Sequence, residues 1–346
     1  MRYQRVTLDA IGYELPPNVV TADDIEDRLS PVYDALRLKK GQLEQITGIQ
    51  ESRYWDPDFR LSQGAVSAGK KALNAAGISA GDIGMLIYGA VCRENLEPAT
   101  ACPVADGLGI GPNAHVYDVS NACLGMLNGM VQVANAIELG VIRAGLVVAC
   151  ESCRQIVDTT IDRLLDSPRM EVFKTTLATL TGGSGAAAAV LTDGSFGSRT
   201  HRVVGGMIKN NVSHHRLCTW GPDTGIPASR PHVMNTDSVG VLTHGVALGV
   251  DTFTDFKKEL GWGPDLPDKI ICHQVGTTHQ KTILKAIGVD PSKDFSTFRY
   301  LGNIGTVSLF VTAAIAHERQ FIETGDRVGF LGIGSGLNCL MMGLEW

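Results

Sequence analysis

Two stretches of the chain repeat the same succession of elements, and this repeat limits the possible folds more than any single motif. In the first stretch, residues 121–125 open an apolar helical pattern, and a strand pattern begins at 144. In the second, residues 303–307 open a helical pattern, and a strand pattern follows from 326 at nearly the same interval. Self-similarity of this kind indicates a duplicated unit that packs on its own copy.

Each repeated strand leads to a glycine-rich turn and an apolar strand, at 182–186 in the first stretch and at 334–337 in the second. Two related α/β halves that face each other would bring the starts of their helices together, and ligands bind in crevices of this kind. We predict an N-terminal half at 1–200 and a C-terminal half at 201–346. No low-complexity linker separates them, so one compact unit is expected.

Two segments, 151–181 and 206–236, do not fit the repeat. Both mix polar and apolar residues, and prolines such as Pro168, Pro222 and Pro227 interrupt them. We interpret the two segments as insertions that cap a substrate pocket.

Short apolar runs alternate with helical periodicity along the chain, which favours an α/β fold. Residues 1–7 read as a first strand. Helices are predicted at 22–29, 43–46, 64–76, 124–138, 239–260, 277–286 and 308–323. Further strands are predicted at 85–90, 116–119, 144–150, 186–191, 270–272, 327–331 and 339–344.

The composition argues against several classes of function. A formal net charge of −6 in 346 residues is unsuited to a broad nucleic-acid surface. No apolar run reaches the length of about 18 residues that a membrane span needs, and the first residues lack the apolar core of a signal peptide. We therefore expect a cytoplasmic protein that neither binds nucleic acid nor spans a membrane.

The chain contains eight cysteines. We predict thiols, because disulfides are rare in the cytoplasm. Cys150 and Cys153 form a CxxC pair, but the pair closes an apolar strand and the sequence holds no second pair to complete a metal site. We therefore predict no metal site.

Cys123 lies where a reactive cysteine is expected. It follows the predicted strand at 116–119 and precedes an apolar helix. The positive end of a helix dipole and the N–H groups of a first turn favour the thiolate, and a strand–turn–helix junction exposes the side chain for attack on a thioester. The alternative is a buried structural cysteine, the commonest fate of a free thiol.

Polar residues occupy comparable junctions in the second half. His273 ends the strand at 270–272, and a polar residue at the carboxyl end of such a strand points toward the crevice; a structural histidine is the alternative. Asn303 begins the next helix, where a simple N-cap is the alternative. Together an imidazole and an amide can donate hydrogen bonds to one developing oxyanion.

The turn formed by Gly334, Ser335 and Gly336 is a further candidate. Its backbone N–H groups can supply a second oxyanion hole beside Cys123.

In order and spacing, four motifs resemble the ketoacyl-ACP synthase III branch of the thiolase superfamily. They are DVSNAC at 118–123, HQ at 273–274, GNIG at 302–305 and GIGSG at 332–336, with an early signature, TGIQESR, at 47–53. The resemblance implies a thiolase fold, in which two α/β halves form a five-layered α-β-α-β-α sandwich, and it implies a homodimer.

The same resemblance implies roles for the site residues. Cys123 would be the nucleophile, and His273 and Asn303 would be the oxyanion donors. Acyl-CoA would be a substrate, and no cofactor would be needed. The resemblance leaves open whether the second substrate arrives on coenzyme A or on an acyl carrier protein.

Residues 96–100 (LEPAT) and the ending at 332–339 (GIGSGLNC) more closely resemble the OleA subfamily. Its members join two fatty acyl-CoA chains head to head in bacterial olefin synthesis, and the glutamate that matches Glu97 acts as base across the dimer interface. Joining two unactivated thioesters requires removal of an α-proton, hence a general base. A solvated loop charge is the alternative for Glu97.

We therefore expect an acyltransferase that performs a Claisen condensation of two acyl-CoA thioesters through an acyl-Cys123 intermediate, giving a β-ketoacyl product or a β-keto acid. Three alternatives remain open. One is a decarboxylating ketoacyl-ACP synthase III that uses malonyl-ACP. The second is an acyltransferase that forms an ester or amide in secondary metabolism. The third is a silent partner subunit of a heterodimer, which the complete Cys–His–Asn set argues against.

Overall fold

The computed structural model describes residues 1–197, 201–221 and 233–346, and a nine-stranded sheet runs through them. In chain order the strands are β1 (Thr7–Glu14), β2 (Asn18–Thr21), β3 (Glu51–Tyr54), β4 (Met85–Tyr88), β5 (His115–Asp118), β6 (Ala144–Glu151), β7 (Gly185–Thr192), β8 (His201–Asn210), β9 (Cys218–Gly221), β10 (Val233–Thr236), β11 (Lys269–Cys272), β12 (Arg327–Gly334) and β13 (Asn338–Glu345). Two short antiparallel pairs, β2 with β3 and β9 with β10, lie outside the main sheet.

Helices cover both faces of the sheet. They are α1 (Ala22–Arg28), α2 (Ser30–Leu36), α3 (Gln42–Thr47), α4 (Leu61–Ala76), α5 (Ala101–Leu108), α6 (Gly125–Glu138), α7 (Arg154–Asp166), α8 (Met170–Leu180), α9 (Ser238–Leu260), α10 (Thr277–Ile287), α11 (Phe298–Leu301) and α12 (Ser308–Glu318). None of these helices is long and apolar enough to cross a membrane.

The strand order of the main sheet is β11-β12-β13-β8-β1-β7-β6-β4-β5. Starting from β1, the strands β7, β6 and β4 follow in antiparallel, antiparallel and parallel pairings. Starting from β8, the strands β13, β12 and β11 follow in the same three pairings. The two sets join where β1 pairs with β8 at Thr7–Arg202 and Leu8–His201. The duplication predicted from the sequence is therefore confirmed.

Two central helices lie between the two halves of the sheet. Helix α6 packs on β4, β6 and β7. Leu124, just before the helix, and Leu127, in its first turn, approach Gly332 of β12. Helix α12 packs on β1 and β7, while its Phe310 contacts Phe330 of β12. Because α12 is enclosed on both sides, it is apolar around most of its circumference, as buried helices are.

The outer faces carry the remaining layers. Helix α4 covers β1, β6 and β7, and α9 covers β8 and β13, with α10 packed beside it. The molecule therefore has five layers. They are α4, the first half of the sheet, the central pair α6 and α12, the second half of the sheet, and the outer pair α9 and α10. The predicted five-layered sandwich is confirmed.

The start of α6 approaches β4 very closely. A Cβ atom at Gly89 would lie 2.7 Å from the carbonyl oxygen of Gly125, and one at Gly125 would overlap Gly89 in turn. Only glycine at both positions permits this contact, which fixes the helix that follows Cys123 against the sheet.

Several details differ from the sequence-based expectations. The first long strand begins at Thr7, because the N–H groups of Gln4 and Arg5 donate to Glu138 and not to a neighbouring strand. The helix predicted at 308–323 ends at Glu318. Residues 206–210 belong to β8 within the main sheet, where glycines allow its neighbours to approach.

Helices α7 and α8 lie within residues 151–181, which were predicted to be an insertion. They pack with α1 and α2 into a second apolar cluster, in which the rings of Tyr33 and Phe173 make an edge contact at 6.0 Å. Strand β10 packs on α7 and α8. Pro222 and Pro227 of the other predicted cap, and the end of the predicted first half at 198–200, lie outside the described residues.

Candidate active site

Cys123 lies in the sharp turn between β5 and α6. Ala122 before it adopts φ +46°, a left-handed conformation that is uncommon for residues other than glycine and recurs at functional sites. The N–H of Leu124 donates to the carbonyl of Asn121 at 2.9 Å and closes the turn. The turn directs Cys123 into an internal cavity, and the side chain is partly buried.

The structure brings most of the predicted site residues to this one cavity. Its wall includes Cys123, His273, Asn303, Gly334 and Ser335. The rest of the wall is mainly apolar, and much of it comes from α9, α10, β12 and β13.

A second cavity meets the first at Cys123. Cys123, Asn303 and Ser335 line both cavities. The second cavity extends toward α7, α8 and the β9–β10 pair. The thiol therefore lies where the two cavities meet.

The environment of the Cys123 thiol opposes the predicted stabilisation of a thiolate. The pKa of Cys123 is raised to about 12, chiefly by burial away from water and in part by the nearby Cys218 and Glu151. Desolvation disfavours the charged form and here outweighs the helix terminus. The resting side chain is a neutral thiol, so attack on a thioester requires a proton acceptor.

His273 is held at the end of β11 by Ser308, the first residue of α12. Its Nδ1 lies 2.8 Å from the Ser308 hydroxyl oxygen. Burial lowers the pKa of His273 to about 4, with a further contribution from His279. The imidazole is therefore neutral near pH 7. It carries one N–H, whose position depends on whether Ser308 donates or accepts.

Asn303 follows α11, and its orientation is fixed by hydrogen bonds. Its Oδ1 accepts from the N–H of Gly305 at 3.1 Å, while its backbone is bound to Thr181 and Gly183. The preceding Gly302 has φ +66°, and a Cβ there would overlap Ser52 and Thr181. Because Oδ1 is engaged as an acceptor, the amide Nδ2 remains the donor that Asn303 offers to the cavity.

The turn between β12 and β13 packs directly on Cys123. A Cβ at Gly334 would lie 3.4 Å from the backbone nitrogen of Cys123. Ser335 lines both cavities. Gly336, predicted together with them, does not line either cavity: it has φ +136° and approaches the side chain of Asn338.

Glu97 does not reach either cavity within one chain. It is exposed, next to Leu96, whose side chain is 61% exposed. Glu97 can therefore fill its predicted role only if two chains assemble and it reaches the site of the other chain.

Three residues beside the site were not predicted from the sequence. Cys218 lines both cavities, Glu151 lines the second, and Ser308 contacts His273. The rule that singled out His273, a polar residue at the carboxyl end of an apolar strand, applies equally to Glu151 at the end of β6 and would have found it. Cys218 and Ser308 carry no such signal. No group of three or more metal-ligating side chains occurs among the described residues.

Comparisons with known proteins agree with this fold and site. The family model of 3-oxoacyl-[acyl-carrier-protein] synthase III matches residues 117–209, and the model of its C-terminal part matches 258–346. The acyl-CoA:acyl-CoA alkyltransferase of Shewanella oneidensis is 48% identical, and that of Xanthomonas campestris is 36% identical, each over 100% of both chains. The chain belongs to the acyl-CoA:acyl-CoA alkyltransferase family.

Solved structures of Xanthomonas campestris OleA superpose closely on the chain. The cerulenin-bound form is 35% identical, with a TM-score of 0.94 that covers 100% of this chain and 98% of the other. Further crystal structures of that OleA carry a cysteine-to-alanine, a histidine-to-asparagine or a glutamate-to-glutamine substitution. The resemblance predicted from the motifs is confirmed.

Proposed function

We propose that the protein condenses two acyl-CoA thioesters through an acyl-Cys123 intermediate and forms a β-ketoacyl product, which is released as a thioester or as a β-keto acid. The observation that carries the proposal is the meeting of Cys123, His273 and Asn303 at a point from which two cavities lead away. One thiol that lines two cavities suits a reaction in which two acyl chains are joined.

In the first step, the Sγ of Cys123 attacks the carbonyl carbon of an acyl-CoA. The carbon–sulfur bond to Cys123 forms, the bond to coenzyme A breaks, and coenzyme A leaves as a thiol with the proton of Cys123. His273 lines the same cavity, and its neutral imidazole has one unprotonated nitrogen that can accept this proton and pass it to coenzyme A.

In the second step, the carbonyl oxygen of another acyl-CoA accepts hydrogen bonds from Asn303 Nδ2 and from the N–H of His273. Glu97 of a second copy removes the α-proton. The carbanion attacks the acyl carbon on Cys123, a carbon–carbon bond forms, and Cys123 is released as the leaving group and regains a proton. The reaction uses only protein side chains and the two thioesters, so no cofactor enters the proposal.

Two observations support the part assigned to Glu97. Strand β5 pairs only with β4 among the described strands, which leaves an edge able to pair with another chain. In the OleA structures, the substituted glutamate precedes the substituted cysteine by the same number of residues as Glu97 precedes Cys123. We propose a homodimer in which Glu97 of one chain serves the site of the other.

A single experiment tests the reaction. The purified protein is incubated with one long-chain acyl-CoA and no malonyl donor, and the products are identified by mass. We expect a β-keto product and free coenzyme A, and no product with Cys123→Ala. Product that appears only with malonyl-ACP would indicate the decarboxylating synthase instead, and an ester or amide without a new carbon–carbon bond would indicate the other alternative.

Glu97→Ala separates the two condensing reactions. We expect it to retain the release of one equivalent of coenzyme A and to lose condensation, because only α-proton removal needs the carboxylate. A decarboxylating enzyme would retain most of its condensation rate.

The cytoplasm is the location we propose. All eight cysteines are free thiols, including the nucleophile, and thiols persist in a reducing compartment. Cell fractionation with an antibody against the chain tests this location.

A further inference from the structure

The segment 91–101, which carries Glu97, is held at both ends by carboxylates. At its start, the N–H groups of Val91 and Cys92 donate to Oε1 and Oε2 of Glu151, each at 3.0 Å. At its end, the N–H groups of Thr100 and Ala101 donate to Oδ2 and Oδ1 of Asp118, at 3.0 and 2.8 Å. Each carboxylate thus binds two consecutive backbone amides, and charge-assisted bonds of this kind are about twice as strong as neutral ones.

The sheet topology explains how both carboxylates reach the segment. The segment leaves the carboxyl end of β4, whose two neighbours in the sheet are the parallel strands β6 and β5. Glu151 is the last residue of β6, and Asp118 is the last residue of β5. Since parallel strands end at the same edge, the two neighbours of β4 place a carboxylate on either side of the chain that emerges between them.

Further hydrogen bonds stiffen the base of the segment. The hydroxyl of Tyr88 donates to the carbonyl of Cys92 at 2.9 Å. The N–H of Glu94 donates to the hydroxyl of Thr100 at 3.2 Å and closes the segment on itself. Glu97 and its neighbour Leu96 remain at the exposed apex.

Both carboxylates use their two oxygens to hold backbone. Both oxygens of Glu151 and both oxygens of Asp118 already accept backbone N–H groups. Glu151 is 4% exposed, and a Cβ at Gly305 would lie 3.3 Å from its Oε1. These contacts suit a side chain that fixes backbone, not one that exchanges protons with a substrate.

We propose that Asp118 and Glu151 are positioning residues that fix the direction in which Glu97 projects from the chain, and that they thereby set the rate of condensation without setting the rate of Cys123 acylation. This inference rests on the proposed function, because it assigns Glu97 to the condensation step.

Asp118→Asn provides the cleaner test, because Asp118 lines neither cavity whereas Glu151 lines the one beside Cys123. The asparagine keeps one acceptor and turns an NH2 group toward a backbone N–H. Hydrogen exchange of the 91–101 peptide should become faster. Condensation should slow by about tenfold, the effect of losing roughly one hydrogen bond, while coenzyme A release in a single turnover stays within about threefold.

Glu138→Gln is the matched control. Glu138 also accepts two consecutive backbone N–H groups, from Gln4 and Arg5 at 3.0 Å each, but it lies at the far end of α6. Glu138→Gln should change neither the hydrogen exchange of the 91–101 peptide nor the rate of condensation. If Asp118→Asn does not fold, Glu151→Gln is measured in the same way.

A double-mutant cycle distinguishes positioning from general loss of structure. In a Glu97→Gln background, Asp118→Asn should cause no further loss of condensation, because the group it positions is gone. An equal loss in both backgrounds, or unchanged exchange and condensation in the Asp118→Asn variant, would overturn the inference. The role of Glu97 itself fails on a different result, unchanged condensation in the single Glu97→Gln variant.

Discussion

The Nδ1 atom of His273 lies 2.8 Å from the hydroxyl oxygen of Ser308, at the start of the buried helix α12. His273 directly follows β11 and Ser308 begins α12, so the two residues are far apart in the sequence. When the Ser308 hydroxyl donates to Nδ1, the imidazole N–H sits on Nε2, the form that can donate to a substrate oxygen. In this orientation the serine stabilises the form of His273 that the proposed second step needs.

Replacing Ser308 should slow condensation. Ser308→Ala removes the hydrogen-bond partner of His273 Nδ1, and we expect the condensation rate to fall about tenfold, the equivalent of one hydrogen bond. Thr312→Val is the control, since Thr312 is equally buried on the same helix but its hydroxyl contacts Thr297 and not His273. Steady-state rates of both variants, corrected for folded fraction, measure the effect; equal losses would contradict it.

The pH dependence of acylation should be flat. His273, with a pKa lowered to about 4, is neutral above pH 5, and Cys123, with a pKa raised to about 12, remains a thiol below pH 10. Attack by a thiol assisted by a neutral base is then constant between about pH 6 and 9. Single-turnover release of coenzyme A gives the profile. A rise of tenfold per pH unit would mean that free thiolate attacks without assistance.

Alkylation of Cys123 by iodoacetamide should behave in the opposite way. This reaction needs the thiolate, whose fraction rises tenfold per pH unit while the pH stays below the raised pKa of Cys123. The labelling rate should therefore increase steadily from pH 6 to 9, in about the range where acylation is constant. Mass analysis of the peptide that contains Cys123 reports the rate.

Filling the wall of the first cavity should shorten the acyl chains that the enzyme accepts. Gly249 of α9 lines this cavity, and a Cβ there would lie 2.9 Å from Cδ1 of Ile283. We expect Gly249→Leu to lower kcat/KM for long acyl-CoAs by at least about tenfold, since the added side chain displaces several methylene groups of substrate. Short acyl-CoAs should react as before.

Ala247→Leu is the control for this change, because it places the same side chain, leucine, at an exposed position of α9. Competition between acyl-CoAs of different lengths measures the preference of each variant. An unchanged preference in Gly249→Leu would mean that acyl chains do not enter the first cavity.

The contact between Gly89 and Gly125 should be essential to stability. Gly125→Ala places a methyl group against the backbone of Gly89, and overpacking of this kind costs about 1–3 kcal/mol of unfolding free energy. Gly263→Ala, at a position with nothing within 4 Å of the added Cβ, should leave stability within about 0.5 kcal/mol. Urea unfolding of the two variants makes the comparison, and equal midpoints would show that the helix can shift without penalty.

Local sequence patterns were sufficient for most of the elements. The runs that became β6, β7 and β12 are continuous apolar stretches bounded by glycine or charged residues, and such runs adopt strand structure wherever they are buried. Strand β8 was not predicted, because Gly205 and Gly206 interrupt its apolar pattern. In the structure these glycines allow the neighbouring chain segments to approach closely. Helices α7 and α8 were not expected because their apolar faces pack on α1 and α2, which are remote in sequence.

The sequence alone placed Cys123, His273 and Asn303 at the ends of strands and the starts of helices, because turn and helix signals are local and the duplication repeats them. Only the tertiary structure decided which residues share a cavity with them. Packing of distant elements brought Glu151, Cys218 and Ser308 to the site and left Gly336 and Glu97 outside both cavities. It also reversed the expected ionisation of Cys123, because desolvation depends on every atom that surrounds the thiol.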